Sequence, residues 1–162
     1  NSMNDQSPRA TGRRLWPPRF ADFRPGDTFD TYARTVTEAD LAAFLGLSGI
    51  KFPVFIDETF ARDQTPFGGR IVPGFLTASI SAGMLEKVLG PDVLAGLELD
   101  AFHFPAPVRP GDTIRAVVTI DSVRETSDGA RGIVTLALDI INQRDETVLD
   151  YRATVLMLNR RD

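Results

Sequence analysis

Few side chains in this sequence can move a proton near neutral pH, and that scarcity narrows the available chemistry. There is one histidine, His103, and no cysteine. Thiolate nucleophiles, disulfides, zinc–thiolate sites and iron–sulfur clusters are excluded together. A lone imidazole cannot build a multi-histidine metal site, and a single strand histidine reads more readily as structural than as a general base. Ser48-Gly49-Ile50-Lys51 has the SxxK spacing of an activated serine, but its companion boxes are missing and the segment reads as a helix terminus. Lys51 is a loop lysine, a base only if burial strips its charge. Asp57 and Glu58 are adjacent carboxylates, with Asp57 best suited to capping a helix, and Glu86 is a carboxylate further along. Arg109 and Arg115 carry the planar fork that pairs with phosphate. Arginine outnumbers lysine 16 to 2, however, so no single arginine stands out. Pro73-Gly74 has the form of a helix start, where free amides and a partial positive charge can receive an anion or a polarised oxygen.

The remainder of the composition sets the frame. The 162 residues suit one domain with a short arm. Hydrophobic residues at 43% and charged residues at 25% fit a globular rather than a disordered chain. The net charge of -4 argues against a nucleic-acid partner. No apolar run reaches membrane-spanning length and no secretory signal is read, so a cytoplasmic protein with no membrane partner is expected. Residues 1–18 are polar and rich in Arg, Ser and Pro, and Asn1-Ser2 ahead of Met3 resembles a tag remnant. This stretch is expected to be a flexible arm whose Leu15 and Trp16 are free to lie on a partner. The domain proper is expected over residues 19–160.

Within that domain the spacing predicts a strand from Thr28 to Val36 and a helix capped by Thr37 that buries Leu41, Phe44 and Leu45 and ends at Ser48-Gly49. An apolar loop interrupted by Pro53 then precedes a short helix capped by Asp57. A Gly-rich turn, Phe67 to Arg70, leads to Pro73-Gly74 and the longest helix, Phe75 to Leu89, closed by Gly90-Pro91. Leu76, Ile80, Met84 and Val88 form its apolar stripe. After a strand at Leu97–Phe104 and a rigid Pro-rich connection, Pro105 to Asp112, strict alternation sets in. Ile114, Ala116, Val118 and Ile120 share one face, as do Val134 to Ile140 and Leu149 to Met157, with Asp128-Gly129 as a hairpin turn. A buried helix followed by an antiparallel meander is an α+β arrangement.

The ordered series Val36-Thr37-Glu38-Ala39-Asp40-Leu41, Leu47-Ser48-Gly49, Asp57 to Ala61, Phe67 to Gly74 and Pro107 to Thr113 resembles the MaoC-like dehydratase family. The resemblance implies a hot dog fold, a long central helix wrapped by an antiparallel sheet, assembled as dimers or double hot dogs. It also implies (R)-specific enoyl-CoA hydratase chemistry, the addition of water across the double bond of an acyl thioester. The family's catalytic stretch reads Ser-Gly-Asp-x-Asn-Pro-x-His-x-Asp, whereas this chain reads Ser48-Gly49-Ile50-Lys51-Phe52-Pro53-Val54-Phe55-Ile56-Asp57. The Asp of the pair falls on Ile50 and the His on Phe55, and neither can transfer a proton. The resemblance places the Gly74 amide where the thioester carbonyl is received. Pro73 stands where relatives often carry His.

The resulting expectation is an acyl-thioester hydratase or dehydratase homologue with impaired hydratase chemistry. It has no cofactor beyond acyl-CoA as substrate or ligand. Gly74 is the oxyanion donor, and Phe55, Pro73, Gly74 and Arg109 are substrate contacts. Asp57 and His103 are the groups available as substitutes for the missing pair. Two further readings stand beside it. One is a non-catalytic acyl-CoA or acyl-carrier binding module, or the silent subunit of a hetero-oligomer. The other is a hot dog thioesterase using Asp57, Glu58 or Glu86. A homodimer is expected, with Leu97–Phe104 or the central helix near its interface, or a pairing with a second hot dog chain.

Overall fold

The computed structural model describes residues 17–160, and Leu15 and Trp16 lie outside them. Pro18, within the predicted arm, is already buried against Gly90. A 3₁₀ turn at Phe20–Asp22 opens the domain. The chain continues through β1 (Thr28–Asp30), β2 (Arg34–Thr35), α1 (Glu38–Ser48), α2 (Pro53–Ile56), α3 (Glu58–Gln64), α4 (Gly74–Met84) and α5 (Glu86–Leu89). It closes with β3 (Val93–His103), β4 (Thr113–Glu125), β5 (Arg131–Asn142) and β6 (Thr147–Leu158). All strand pairs are antiparallel in the order β1-β4-β5-β6-β3, with β2 also on β4. The α+β arrangement read from the sequence is the one observed. Among the described residues no helix is long and apolar enough to cross a membrane.

The sheet forms because one face of each long strand is apolar. Ile114, Ala116, Val118 and Ile120 of β4, Val134, Leu136, Leu138 and Ile140 of β5, and Leu149, Tyr151 and Met157 of β6 are all buried. A shift of one residue would turn each of these sets to solvent, so burial itself fixes the register. Against this face lies α4, whose Leu76, Ile80 and Met84 join the same core. One buried polar contact ties helix to sheet. The Ser81 hydroxyl lies 2.8 Å from the Tyr151 hydroxyl and also donates to Ala78 O at 2.7 Å. Burial pushes the Tyr151 phenol above its ordinary value, which keeps it a neutral O–H. Tyr151 stacks on Phe102, which stacks in turn on Phe104, and this aromatic row runs toward the start of α4.

Four local departures from the sequence expectation have physical causes. The strand predicted from Thr28 to Val36 is broken at Thr31, whose hydroxyl accepts from the Ala116 amide at 2.9 Å and so displaces a ladder carbonyl. The loop around Pro53 contains the single-turn α2, because proline at the first helical position needs no amide partner. The long helix stops at Met84, where the Leu85 amide is shared between Ser81 O and Ala82 O, and resumes as α5. In α1 only Leu41 is fully buried; Phe44 and Leu45 are half-buried and Leu47 is 87% exposed.

The helix–sheet contact yields a stability test. Ser81→Ala leaves the buried Tyr151 hydroxyl without its partner, whereas Tyr151→Phe leaves Ser81 still bonded to Ala78. Urea denaturation should show Ser81→Ala losing about 1–3 kcal/mol and Tyr151→Phe about 1 kcal/mol or less. The reverse order would show that the pair does not couple α4 to β6.

Candidate functional site

A cavity of about 480 Å³ opens where the N-terminus of α4 meets the α1–α2 loop, the α2 turn and the Pro-rich connection before β4. Its walls have separate origins. Gly49 adopts a left-handed conformation (φ 72°) and ends α1, so the chain turns and carries Ile50 and Phe52 to one side. The α2 turn presents Phe55, packed edge-on to Phe52. The stretch Phe67–Pro73 supplies a second wall, held by the Val72 amide donating to Val108 O at 2.7 Å. Phe104 to Val108 form the third, and Val148 and Thr77 belong to the buried inner lining.

One ionic staple holds the α1–α3 segment over this space. Arg70 donates through both terminal nitrogens to Glu38 at the start of α1 (2.7 and 3.2 Å) and through Nε to Glu58 of α3 at 2.9 Å. The Glu58 carboxyl also sits so close to Gly69 that a Cβ there would approach its Oε1 to 2.9 Å. The hydrogen bond from the Arg70 side chain is the main reason the Glu58 carboxyl is held below its ordinary value.

None of the described residues lining the cavity carries an ionisable side chain, and among them the Thr77 hydroxyl is the one polar side-chain group. The other polar atoms belong to the backbone. Pro73 has no N–H, and the amides of Leu76 and Thr77 donate to Pro73 O at 2.9 and 3.3 Å. The first-turn donors left over are the amides of Gly74 and Phe75, reinforced by the helix dipole. A Cβ on Gly74 would overlap the ring of Phe104, so only glycine lets the aromatic wall close against this turn.

The structure gathers Ile50, Phe55, Pro73 and Gly74 in the lining and leaves the other candidates outside it. Asp57 caps α3, accepting from the Phe60 amide at 2.9 Å. His103 is exposed on β3 with its Nδ1 2.9 Å from Asp150 Oδ1. Asp150 in turn stands opposite Asp139, whose carboxyl is raised by burial and secondarily by the Asp150 charge. Arg109 is outside the lining, with its amide bonded to Asp112. Arg115 pairs with Asp30 at 2.7 Å, Lys51 is exposed, and Glu58 is engaged by Arg70. Glu86 lines a larger opening of about 630 Å³ beside α4–α5, β3 and β6. Sequence reasoning missed Thr77 and Phe104. The signal for Thr77 was its position three residues after Gly74, hence on the same helix face, whereas the approach of Phe104 is purely tertiary.

Comparison with known proteins agrees with this geometry. Residues 20–139 match the profile of the MaoC like domain. The chain belongs to the MaoC-like dehydratase family. It is 32% identical over 139 residues to 3-hydroxybutyryl-CoA dehydratase of Methylorubrum extorquens, covering 84% of this chain and 82% of that one. It is 31% identical over 146 residues to β-methylmalyl-CoA dehydratase of Chloroflexus aurantiacus, covering 87% of this chain and 40% of that one. The chain spans only 30–41% of the length of four of the curated relatives it matches. A Mycobacterium tuberculosis protein with a double hot dog fold superposes with a TM-score of 0.79 at 22% identity, over 90% of this chain and 45% of its own. The α4-and-sheet architecture is therefore the hot dog fold.

The staple predicts a defined pH dependence. A carboxyl lowered in the folded state stabilises the fold above its ordinary value of 4.5, and that contribution is lost as the pH falls below it. Glu58→Gln should lower the melting temperature at pH 7, and its gap to the parent chain should close below pH 4.5. A gap independent of pH would show that the Glu58 charge does not hold α3 to Arg70.

Proposed function

We propose that this chain binds acyl thioesters of coenzyme A or of an acyl carrier in the 480 Å³ cavity, and that by itself it does not hydrate them. The carbonyl oxygen is received by the Gly74 amide, and the alkyl part lies among Ile50, Phe52, Phe55 and Ile71. The observation that carries this reading is a helix N-terminus opening into a cavity with no ionisable side chain among its described lining residues.

Hydration of an enoyl thioester needs a base to take a proton from water as its oxygen bonds to the β-carbon, and an acid to protonate the α-carbon. General acid–base catalysis of this kind is worth about 10²–10⁴-fold. An amide donor can polarise the carbonyl and stabilise enolate character, but it cannot relay the proton. Asp57 and His103 are occupied elsewhere, as caps and surface pairs. A thioesterase using Asp57, Glu58 or Glu86 lacks support for the same reason, since none of the three lines this cavity. The relatives of greater length and the double hot dog likeness favour a second unit, in the same or another chain, as the source of the proton-transfer pair.

The same features support self-association. Ten of the eleven residues of β3 are exposed, including Leu94, Leu97 and Leu99, and its pairing among the described residues is with β6 alone. A long apolar edge strand invites pairing with another chain, and the 630 Å³ opening beside it would accept side chains of a second copy. We place a homodimer interface on this edge. Sedimentation should give twice the chain mass, reduced to a folded monomer by Leu97→Asp/Leu99→Asp. A parent chain that sediments as a monomer would remove this interface.

The catalytic half of the reading is tested with crotonyl-CoA. The unmodified chain should show no hydration above the uncatalysed rate, and Ile50→Asp/Phe55→His should gain it. An acyl-CoA at 100 times its dissociation constant should raise folding stability by about 2.7 kcal/mol. Robust hydration by the unmodified chain would overturn the loss of catalysis, and the lack of any thermal shift with acyl-CoAs would overturn binding.

A further inference from the structure

Five polar residues are buried among the described residues, and four of them have partners. Ser81 pairs with Tyr151, Asp92 accepts from Arg160, Asp112 accepts from Gln143 and the Arg109 amide, and Asn142 donates to Glu146. The fifth is Thr77. It is 1% exposed, lines the cavity, and its hydroxyl has no hydrogen-bond partner among the described residues. Ser79 and Ser81 on the same helix return their hydroxyls to Phe75 O and Ala78 O, both at 2.7 Å. Thr77 makes no such bond. The carbonyl one turn back, Pro73 O, already accepts from the amides of Leu76 and Thr77. A buried hydroxyl left unpaired is costly and calls for an explanation.

Thr77 follows Gly74 by three positions and so shares its face of α4, with helix neighbours at that spacing roughly 5–6 Å apart. Two donors so placed, each reaching about 2.9 Å to an acceptor, converge on oxygens a few ångströms apart. Resting on the acyl-thioester reading, we infer that Thr77 is a specificity-determining residue. With the thioester carbonyl on the Gly74 amide, the Thr77 hydroxyl pairs with an oxygen on the β-carbon of the acyl chain. The cavity thereby selects β-hydroxy or β-keto acyl thioesters over their unsubstituted counterparts. A site built around one hydrogen bond rejects the analogue that lacks it, because its own polar group is then left buried and unpaired.

The test is isothermal titration of butyryl-CoA and (R)-3-hydroxybutyryl-CoA into the full chain, Thr77→Val and Thr77→Ser. One neutral hydrogen bond corresponds to a preference of about tenfold for the hydroxy ester in the parent chain. Thr77→Val should bind both thioesters with the parent's butyryl-CoA affinity, and its melting temperature should not fall. Thr77→Ser should keep the preference. Equal affinities in the parent, a preference that survives in Thr77→Val, or a Thr77→Val chain that fails to fold would each overturn the assignment. The last would show that the hydroxyl has a structural partner. Binding without discrimination removes the role of Thr77 alone, whereas binding of neither thioester removes the acyl-thioester reading and this inference with it.

Discussion

The approach of the Phe104 ring to the Gly74 Cα is the constraint on which the site depends. It brings the end of the aromatic row from Tyr151 against the first turn of α4, at the point where two amides have no carbonyl to bond. The row is anchored at its far end by the Ser81–Tyr151 contact, so the sheet and the middle of α4 position the wall that closes on its beginning. Glycine is required there by contact rather than by dihedral angle. Any side chain would have to push the ring aside and part this wall from the first turn of α4.

Around that turn the protein has built an apolar enclosure. Phenylalanine, isoleucine, valine and proline dominate the lining, and they come from segments far apart in sequence. Several of the charges close by are spent on structure. Arg70 bridges Glu38 and Glu58, Asp57 caps α3, and Asp112 anchors the Pro-rich connection through the Arg109 amide. These groups hold the walls without entering the space between them. Low polarity strengthens the pull of the free amides on a carbonyl oxygen, and it equally denies a water molecule the partners needed to be activated. In the proposed reading, the physical features that favour binding a thioester are the ones that oppose its hydration.

Much of this was legible in the sequence, for reasons that differ by element. The β4–β6 meander was clear because one buried face imposes strict alternation, and the ends of α1 were clear because Thr37, Asp40 and Gly49 cap it by local chemistry. The α2 turn was hidden because Pro53 reads as an interruption, although the first helical position tolerates it. The division of the long helix at Leu85 depends on a shared amide, which leaves no pattern in the residues. For the site, family resemblance located Ile50, Phe55 and Gly74, and the cap role of Asp57 was visible from its type and position. Thr77 was concealed inside an apolar stripe. The spacing that marks its helix face says nothing about whether its hydroxyl finds a carbonyl.

In the proposed reading, a pocket whose described lining holds no ionisable group is still selective. Serines at positions 79 and 81 show that α4 readily satisfies its own hydroxyls, so the free hydroxyl at Thr77 is a local exception and not a property of the helix. The exception falls on the one turn where the backbone also has donors to spare. Two independent shortfalls of acceptors, one in the main chain and one in a side chain, therefore meet in the same apolar space. A ligand presenting two oxygens to that turn satisfies both and leaves its alkyl portion for the phenylalanines. A purely aliphatic acyl group satisfies only the first.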